Sequence, residues 1–151
     1  MIKFTYHGEA VGKGRPRVTA SRGKFAHAYT PKKTKDFEDA IRFEFMASNC
    51  EPMPVYPKDV PLKMTMRVGV AIPQSYSKKK QALCRDGFIA PSKRPDLDNI
   101  FKAVADALQG EKGSGGYAFV DDSQIVEMTA WKEYSEEPFV EVVIDEYTRV
   151  K

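Results

Sequence analysis

Residues 62 to 72 carry an apolar side chain at every second position. Leu62, Met64, Met66, Val68, Val70 and Ile72 are apolar, Lys63, Thr65 and Arg67 lie between them, and Pro73 ends the run. A period of two over this length puts one set of side chains on a dry face and the other on a wet one, which defines a half-buried strand. Such a strand belongs to a sheet with one face covered, and the covering layer has to come from elsewhere in the chain.

The remaining pattern supplies both partners and cover. Ile2 to His7 alternate and read as a second strand. Thr30 as N-cap and Pro31 at the first helical position open a helix. Its stripe is Phe37, Ala40, Ile41 and Phe45, and it runs to about Ser48. Pro52, Pro54, Pro57 and Pro61 make the next stretch an irregular connection. Ser77 caps a short helix from Lys78 to about Asp86, closed by Gly87. A second long helix fits residues 98–109, with Ile100, Phe101, Val104, Ala105 and Leu108 as its apolar face and Gly110 at its end. Gly113 to Gly116 read as a flexible loop. Strands at about 125–134 and 138–147 flank a turn at Glu136-Glu137-Pro138, and Ser21 to Lys24 read as a hairpin tip. No repeat or boundary interrupts the 151 residues. The expectation is a single α+β domain spanning 1–151, a mixed sheet with two main helices packed on it.

Several classes of function are excluded. Cys50 and Cys84 are far apart and lack a CxxC partner, so neither a disulfide framework nor a zinc site is expected, which suits a reducing cytoplasm. No apolar run of about 18 residues occurs, so no membrane span is expected, and the N-terminus shows no signal peptide. Gly12-Lys13-Gly14-Arg15-Pro16-Arg17 is glycine-rich and basic but lacks the Lys-Ser/Thr ending of a nucleotide-binding loop, so no nucleotide cofactor is expected. Charge is unevenly spread behind a net value of +3. Residues 10–35 hold eight Lys or Arg and no acid, residues 75–94 hold six against Asp86 alone, and residues 110–146 hold ten acids against Lys112 and Lys132. Basic tracts of this kind suit a phosphate backbone, and equally an ordinary solvated surface.

The chemistry-bearing segment is Asp96-Leu97-Asp98-Asn99-Ile100-Phe101-Lys102. On a helix beginning near Leu97, Asp98 and Lys102 lie one turn apart on one face, with Asp96 at the N-terminus. Leu97, Ile100, Val104 and Leu108 point to the core, which leaves the polar groups facing outward. A second acidic pair, Asp121-Asp122, enters the following strand. Adjacent strand residues face opposite ways, so one of the two can join the first cluster. Three clustered carboxylates call for a hard cation such as Mg²⁺, with Mn²⁺ as a substitute. Alternatively Asp96 is only an N-cap, Asp98 is paired to Lys102, and Asp121-Asp122-Ser123 is only a turn.

Arg94 to Leu108, followed by Val120-Asp121-Asp122-Ser123-Gln124-Ile125, resembles the RusA family of Holliday-junction resolvases. Gly14 to Arg17, Tyr29 to Thr34 and Ile72 to Lys80 also resemble family segments, in family order. Tyr76 departs from the tryptophan common at its position. The resemblance implies a homodimeric, Mg²⁺-dependent endonuclease that nicks four-way DNA junctions symmetrically. It carries the essential aspartates onto Asp96, Asp98 and Asp122 and the essential lysine onto Lys102, with Asp121 and Asn99 as secondary candidates. Two opposed nicks from chains with one site each also call for a two-fold dimer. Lys13, Arg15, Arg17, Lys32, Lys33, Lys78, Lys79, Lys80 and Arg94 are the expected DNA contacts. A non-catalytic junction-binding module, a nucleotide phosphohydrolase and a flap nuclease stand as alternatives.

Overall fold

The computed structural model describes residues 1–14, 31–110 and 116–149, and the backbone of 17–19 and 27–29. The described residues form strands β1 (Ile2–His7), β2 (Arg17–Thr19), β3 (His27–Tyr29), β4 (Leu62–Ala71), β5 (Ile125–Ser135) and β6 (Phe139–Glu146), with helices α1 (Lys32–Ser48), α2 (Lys78–Arg85) and α3 (Leu97–Gln109). Four strands make one mixed sheet in the order β1-β6-β4-β5, and β2 pairs with β3 apart from it. β6 runs antiparallel to both β1 and β4, whereas β5 runs parallel to β4. A parallel pair needs a crossover, and α2 and α3 lie within it.

The alternation sets the layers. Leu62, Met64, Met66 and Val68 are buried together with Ile2, Phe4, Val140, Val142 and Ile144. α1 and α3 pack against each other over this core, contributing Phe37, Ile41 and Phe45 from one and Ile100, Val104 and Leu108 from the other. On the opposite face Arg67 pairs with Glu133 and lies over the Phe139 ring. Phe43 and Met46 of α1 do not pack in the core; they are 69% and 48% exposed. Val126, Met128 and Trp131 of the edge strand β5 are also exposed.

Local differences from the sequence reading have physical causes. Pro31 occupies the N-cap position of α1 rather than its first turn, and no side-chain cap is present there. Thr30 and the hairpin tip Ser21 to Lys24 lie outside the described residues. Asp121 and Asp122 do not enter a strand: a 3-10 turn, Asp122–Gln124, precedes β5. The last residue of the glycine run is no spacer either. Gly116 is buried at φ +79°, and a Cβ there would come within 1.9 Å of the Phe119 carbonyl oxygen. Only glycine meets both demands.

Candidate active site

Asp96 stands at the N-cap of α3 with extended backbone (φ −68°, ψ 141°), yet its side chain makes no capping bond. Among the described residues the carboxylate has no hydrogen-bond or ion-pair partner, and the reading of Asp96 as a mere cap does not hold. Asp98, in the first turn, gains from the helix dipole. Asp96, Asp98, Asn99 and Lys102 are all exposed, while Ile100 beneath them is fully buried. Behind this segment, Lys132 of β5 donates to the carbonyls of Lys93 and Pro95 at 2.8 and 3.1 Å, which fixes the approach to α3.

Lys102 does not pair with Asp98. Its ammonium reaches Asp122 Oδ2 at 3.1 Å and Asp106 Oδ1 at 3.3 Å. A lysine preceding an acid by four residues is the weaker helical orientation, so Asp122 supplies the rest of the hold. Hydrogen bonding to Asp122 raises the Lys102 pKa against a smaller opposing effect of burial, and Asp106 adds to the rise. The amine stays cationic at any physiological pH.

The two neighbouring aspartates have separate tasks. Asp121 caps the 3-10 turn: its carboxylate accepts from Ser123 N at 2.8 Å, and this bond lowers its pKa. Asp122 faces α3, with its backbone N–H bonded to Gln109 Oε1 at 3.1 Å. Gln124, only 6% exposed, locks the turn. Its Oε1 accepts from Val120 N and Asp121 N, and its Nε2 donates to the Pro57 and Val60 carbonyls. Of the pair, Asp122 is the one beside Lys102.

The basic segment before α1 is strapped across the α1–α3 seam. Lys13 N donates to the Asn99 carbonyl at 2.8 Å, and buried Thr34 accepts from Gly14 N and donates to the Gly12 carbonyl. A Cβ on Gly12 would approach Asn99 Cβ to 3.1 Å and Pro95 Cβ to 3.3 Å, so the strap lies close on the head of α3. The Lys13 ammonium does not reach for solvent, as an expected phosphate contact would. It bonds Glu38 at 2.6 Å and Asp106 at 3.1 Å. Burial alone would lower its pKa, but these two carboxylates raise it instead.

A cavity of about 650 Å³ opens beside the strap, lined by Lys13, Lys33, Arg94, Pro95, Asp96 and Asn99 among others. Lys32 and Lys33 begin α1, and Lys78, Lys79 and Lys80 begin α2, all exposed. Cations at a helix N-terminus oppose the macrodipole, so they cost the helices stability and create a field suited to an anion. Lys80 also sits over the Tyr76 ring at 3.8 Å. Burial and a hydrogen bond to Tyr76 push the pKa of Tyr134 of β5 up to about 12. The side chains of Arg15 and Arg17 lie outside the described residues.

Exposed carboxylates at Asp96 and Asp98, unpaired among the described residues, suit a hard divalent cation by donor chemistry. Among the described residues, however, no group of three or more His, Cys, Asp or Glu is drawn together to hold an ion. The helix explains this. Asp122 meets Lys102 on the side of Asp106, which lies two turns, about 12 Å, along α3 from Asp98. The ligand set is thus open between its helical and turn-borne halves.

Asp106, Glu38, Gln124 and Lys132 escaped the sequence reading. Asp98, Lys102 and Asp106 follow one another at spacing four, and Asp121 to Gln124 has capping-box spacing, so two of the four left a local signal. Glu38 and Lys132 act only across the fold.

A family model described as Endodeoxyribonuclease RusA matches residues 7–145. The chain is also similar to the uncharacterized protein YqaN of Bacillus subtilis (strain 168), at 39% identity over 147 residues, covering 96% of each chain. The match spans the strap, the head of α3 and the Asp121–Gln124 turn together, and the chain belongs to the RusA endodeoxyribonuclease family.

Proposed function

We propose that the protein resolves four-way DNA junctions as a two-fold homodimer, each chain nicking one of two opposed strands with the help of Mg²⁺ or Mn²⁺. The observation that carries this reading is the placement of Lys102. It stands between Asp122 and the carboxylates at the head of α3, and Asp96 at that head lines a cavity together with Lys33 and Arg94. An anionic phosphate at that cavity meets cations on one side and metal-ligand chemistry on the other.

Asp96, Asp98 and Asp122 would hold the divalent cation. When bound, it supplies Lewis-acid polarisation of the phosphate and makes water a better nucleophile near neutral pH. The chain does the rest. Lys33 and Arg94 bind the backbone around the scissile position, and Arg15 and Arg17 are assigned to further phosphates by their sequence segment alone. Lys32 and Lys78 to Lys80 hold more distant phosphates. Lys102 offsets charge on the phosphate oxygens as it develops, acting as a fixed point charge. Lys13 and the Asn99 carbonyl hold the strap against α3, so the cations stay close to the reacting group.

The test is cleavage of a synthetic four-way junction, with products mapped to the nucleotide, with and without Mg²⁺. Asp96→Asn and Asp98→Asn should bind the junction nearly as well as the parent and fail to cut it. Full cleavage by either would overturn the ligand assignment. Absence of cleavage by the parent at any Mg²⁺ or Mn²⁺ concentration would overturn the nuclease reading. Equal cutting of linear and Y-shaped duplexes would remove the junction selectivity.

A further inference from the structure

We propose that Asp106 is a positioning residue that holds Lys102 in its working place while Asp122 is engaged elsewhere. The proposal rests on the reading of Lys102 given above. Five charged side chains form one alternating chain: Glu38 of α1, Lys13 of the strap, Asp106 and Lys102 of α3, and Asp122 of the turn. Asp106 stands at the centre. One of its oxygens takes Lys102 at 3.3 Å, and the other takes Lys13 at 3.1 Å.

The need for such an anchor follows from the two partners of Lys102. Its side chain is 55% exposed and long, and among the described residues Asp106 and Asp122 are what fix it. Asp122 cannot serve a divalent cation and hold an ammonium undiminished, because a doubly charged ion outcompetes a singly charged one for the same oxygens. Asp106 has no second task of that kind. Both its oxygens are occupied by ammonium groups, and its side chain is 25% exposed. Lys13 in turn is fixed by Glu38, whose side chain is 13% exposed. The anchor is therefore referred to α1 as well as to α3. A lysine tethered this way keeps its charge over the α3 surface instead of dispersing it into solvent. Lys13 also cancels part of the Asp106 charge, so the anchor does not neutralise the lysine it holds.

The alternative is that Asp106 only clamps α1, the strap and α3 together. Steady-state junction cleavage by Asp106→Asn, Lys102→Ala and the double variant separates the two. Positioning predicts that Asp106→Asn lowers kcat roughly 10- to 100-fold, the usual scale for outer-shell partners of a site, while KM for the junction moves little. In the Lys102→Ala background the same change should cost almost nothing further. Equal losses in both backgrounds, or no loss in either, overturn the proposal. Asp106→Glu keeps the carboxylate and should recover part of kcat; it also serves if the asparagine variant fails to fold. A second readout needs no turnover. The rate at which an amine-reactive ester labels Lys102, followed by mass spectrometry, should rise several-fold in Asp106→Asn, with Lys78 to Lys80 unchanged as internal standards. An unchanged Lys102 rate overturns the anchor. A parent protein that cuts no junction sinks the nuclease reading, while labelling still decides whether Asp106 holds Lys102.

Discussion

Asp121 and Asp122 are chemically identical neighbours made unequal by what already holds them. Asp121 is committed to Ser123 N, whereas Asp122 meets Lys102. Asp122→Asn should therefore reduce junction cleavage by at least about 1000-fold, the several kcal/mol that a catalytic metal site supplies. Asp121→Ala should keep most of the rate and lower the melting temperature through loss of the turn's cap. A pH signature accompanies the second variant. The Asp121 pKa is depressed by its hydrogen bond to Ser123, so its contribution to stability is present above the ordinary carboxylate value and lost as pH falls through the folded value. Melting curves of parent and Asp121→Ala should converge in acid and separate towards neutrality. The reverse pairing, a dead Asp121→Ala and an active Asp122→Asn, would exchange the two roles. At this scale the sequence singled out candidate residues but not their partners. Asp98 and Asp106 each stand one turn from Lys102, and spacing alone does not reveal which of them the ammonium joins.

Elements carry these side chains, and the turn after α3 is the one on which the site depends most. Gln124 makes four hydrogen bonds there, two of them to carbonyls of the proline-rich connection. Gln124→Ala leaves buried donors and acceptors unmatched and should cost about 2–4 kcal/mol in chemical denaturation. Because Asp122 moves with the turn, junction cleavage should fall as well; normal stability would show that the bonds are replaced by water. Gly116→Ala should cost at least roughly 1–2 kcal/mol from its left-handed backbone alone, before the contact with the Phe119 carbonyl is counted. The long elements were legible in the sequence because their signals are local and repeated: alternation in β4, the Ser77 cap of α2 confirmed by Lys80 N bonding its hydroxyl, and the stripe of α3. The 3-10 turn was not, since three residues give no period, and its capping glutamine serves segments about 65 residues away in sequence. The parallel pairing of β4 with β5 was also hidden. It depends on how the crossover packs, not on any pattern within either strand.

For the whole molecule, charge placement makes a claim separate from the chemistry at α3. Lysines open both α1 and α2, where they oppose the helix dipoles, and no acid stands in either first turn. A fold that accepts this cost in two separate helices presents two positive ends to which a polyanion can bind. Two such surfaces in a two-fold dimer would match the opposed arms of a four-way junction, and sedimentation of the free protein should show a dimer at the concentrations at which it cuts. Binding then acts largely through counterion release, and log Kd should rise steeply with log salt concentration. Lys78→Ala/Lys79→Ala/Lys80→Ala lies far from Lys102 in sequence and touches no residue of the Glu38–Asp122 chain. It should reduce the salt slope by roughly 0.9 for each phosphate contact removed. It should also raise KM, while kcat at saturating junction stays near the parent value, because the chemical step uses other groups. A slope unchanged in the triple variant would remove α2 from the DNA surface. A fall in kcat at saturation would mean that α2 shapes the reacting geometry and not affinity alone.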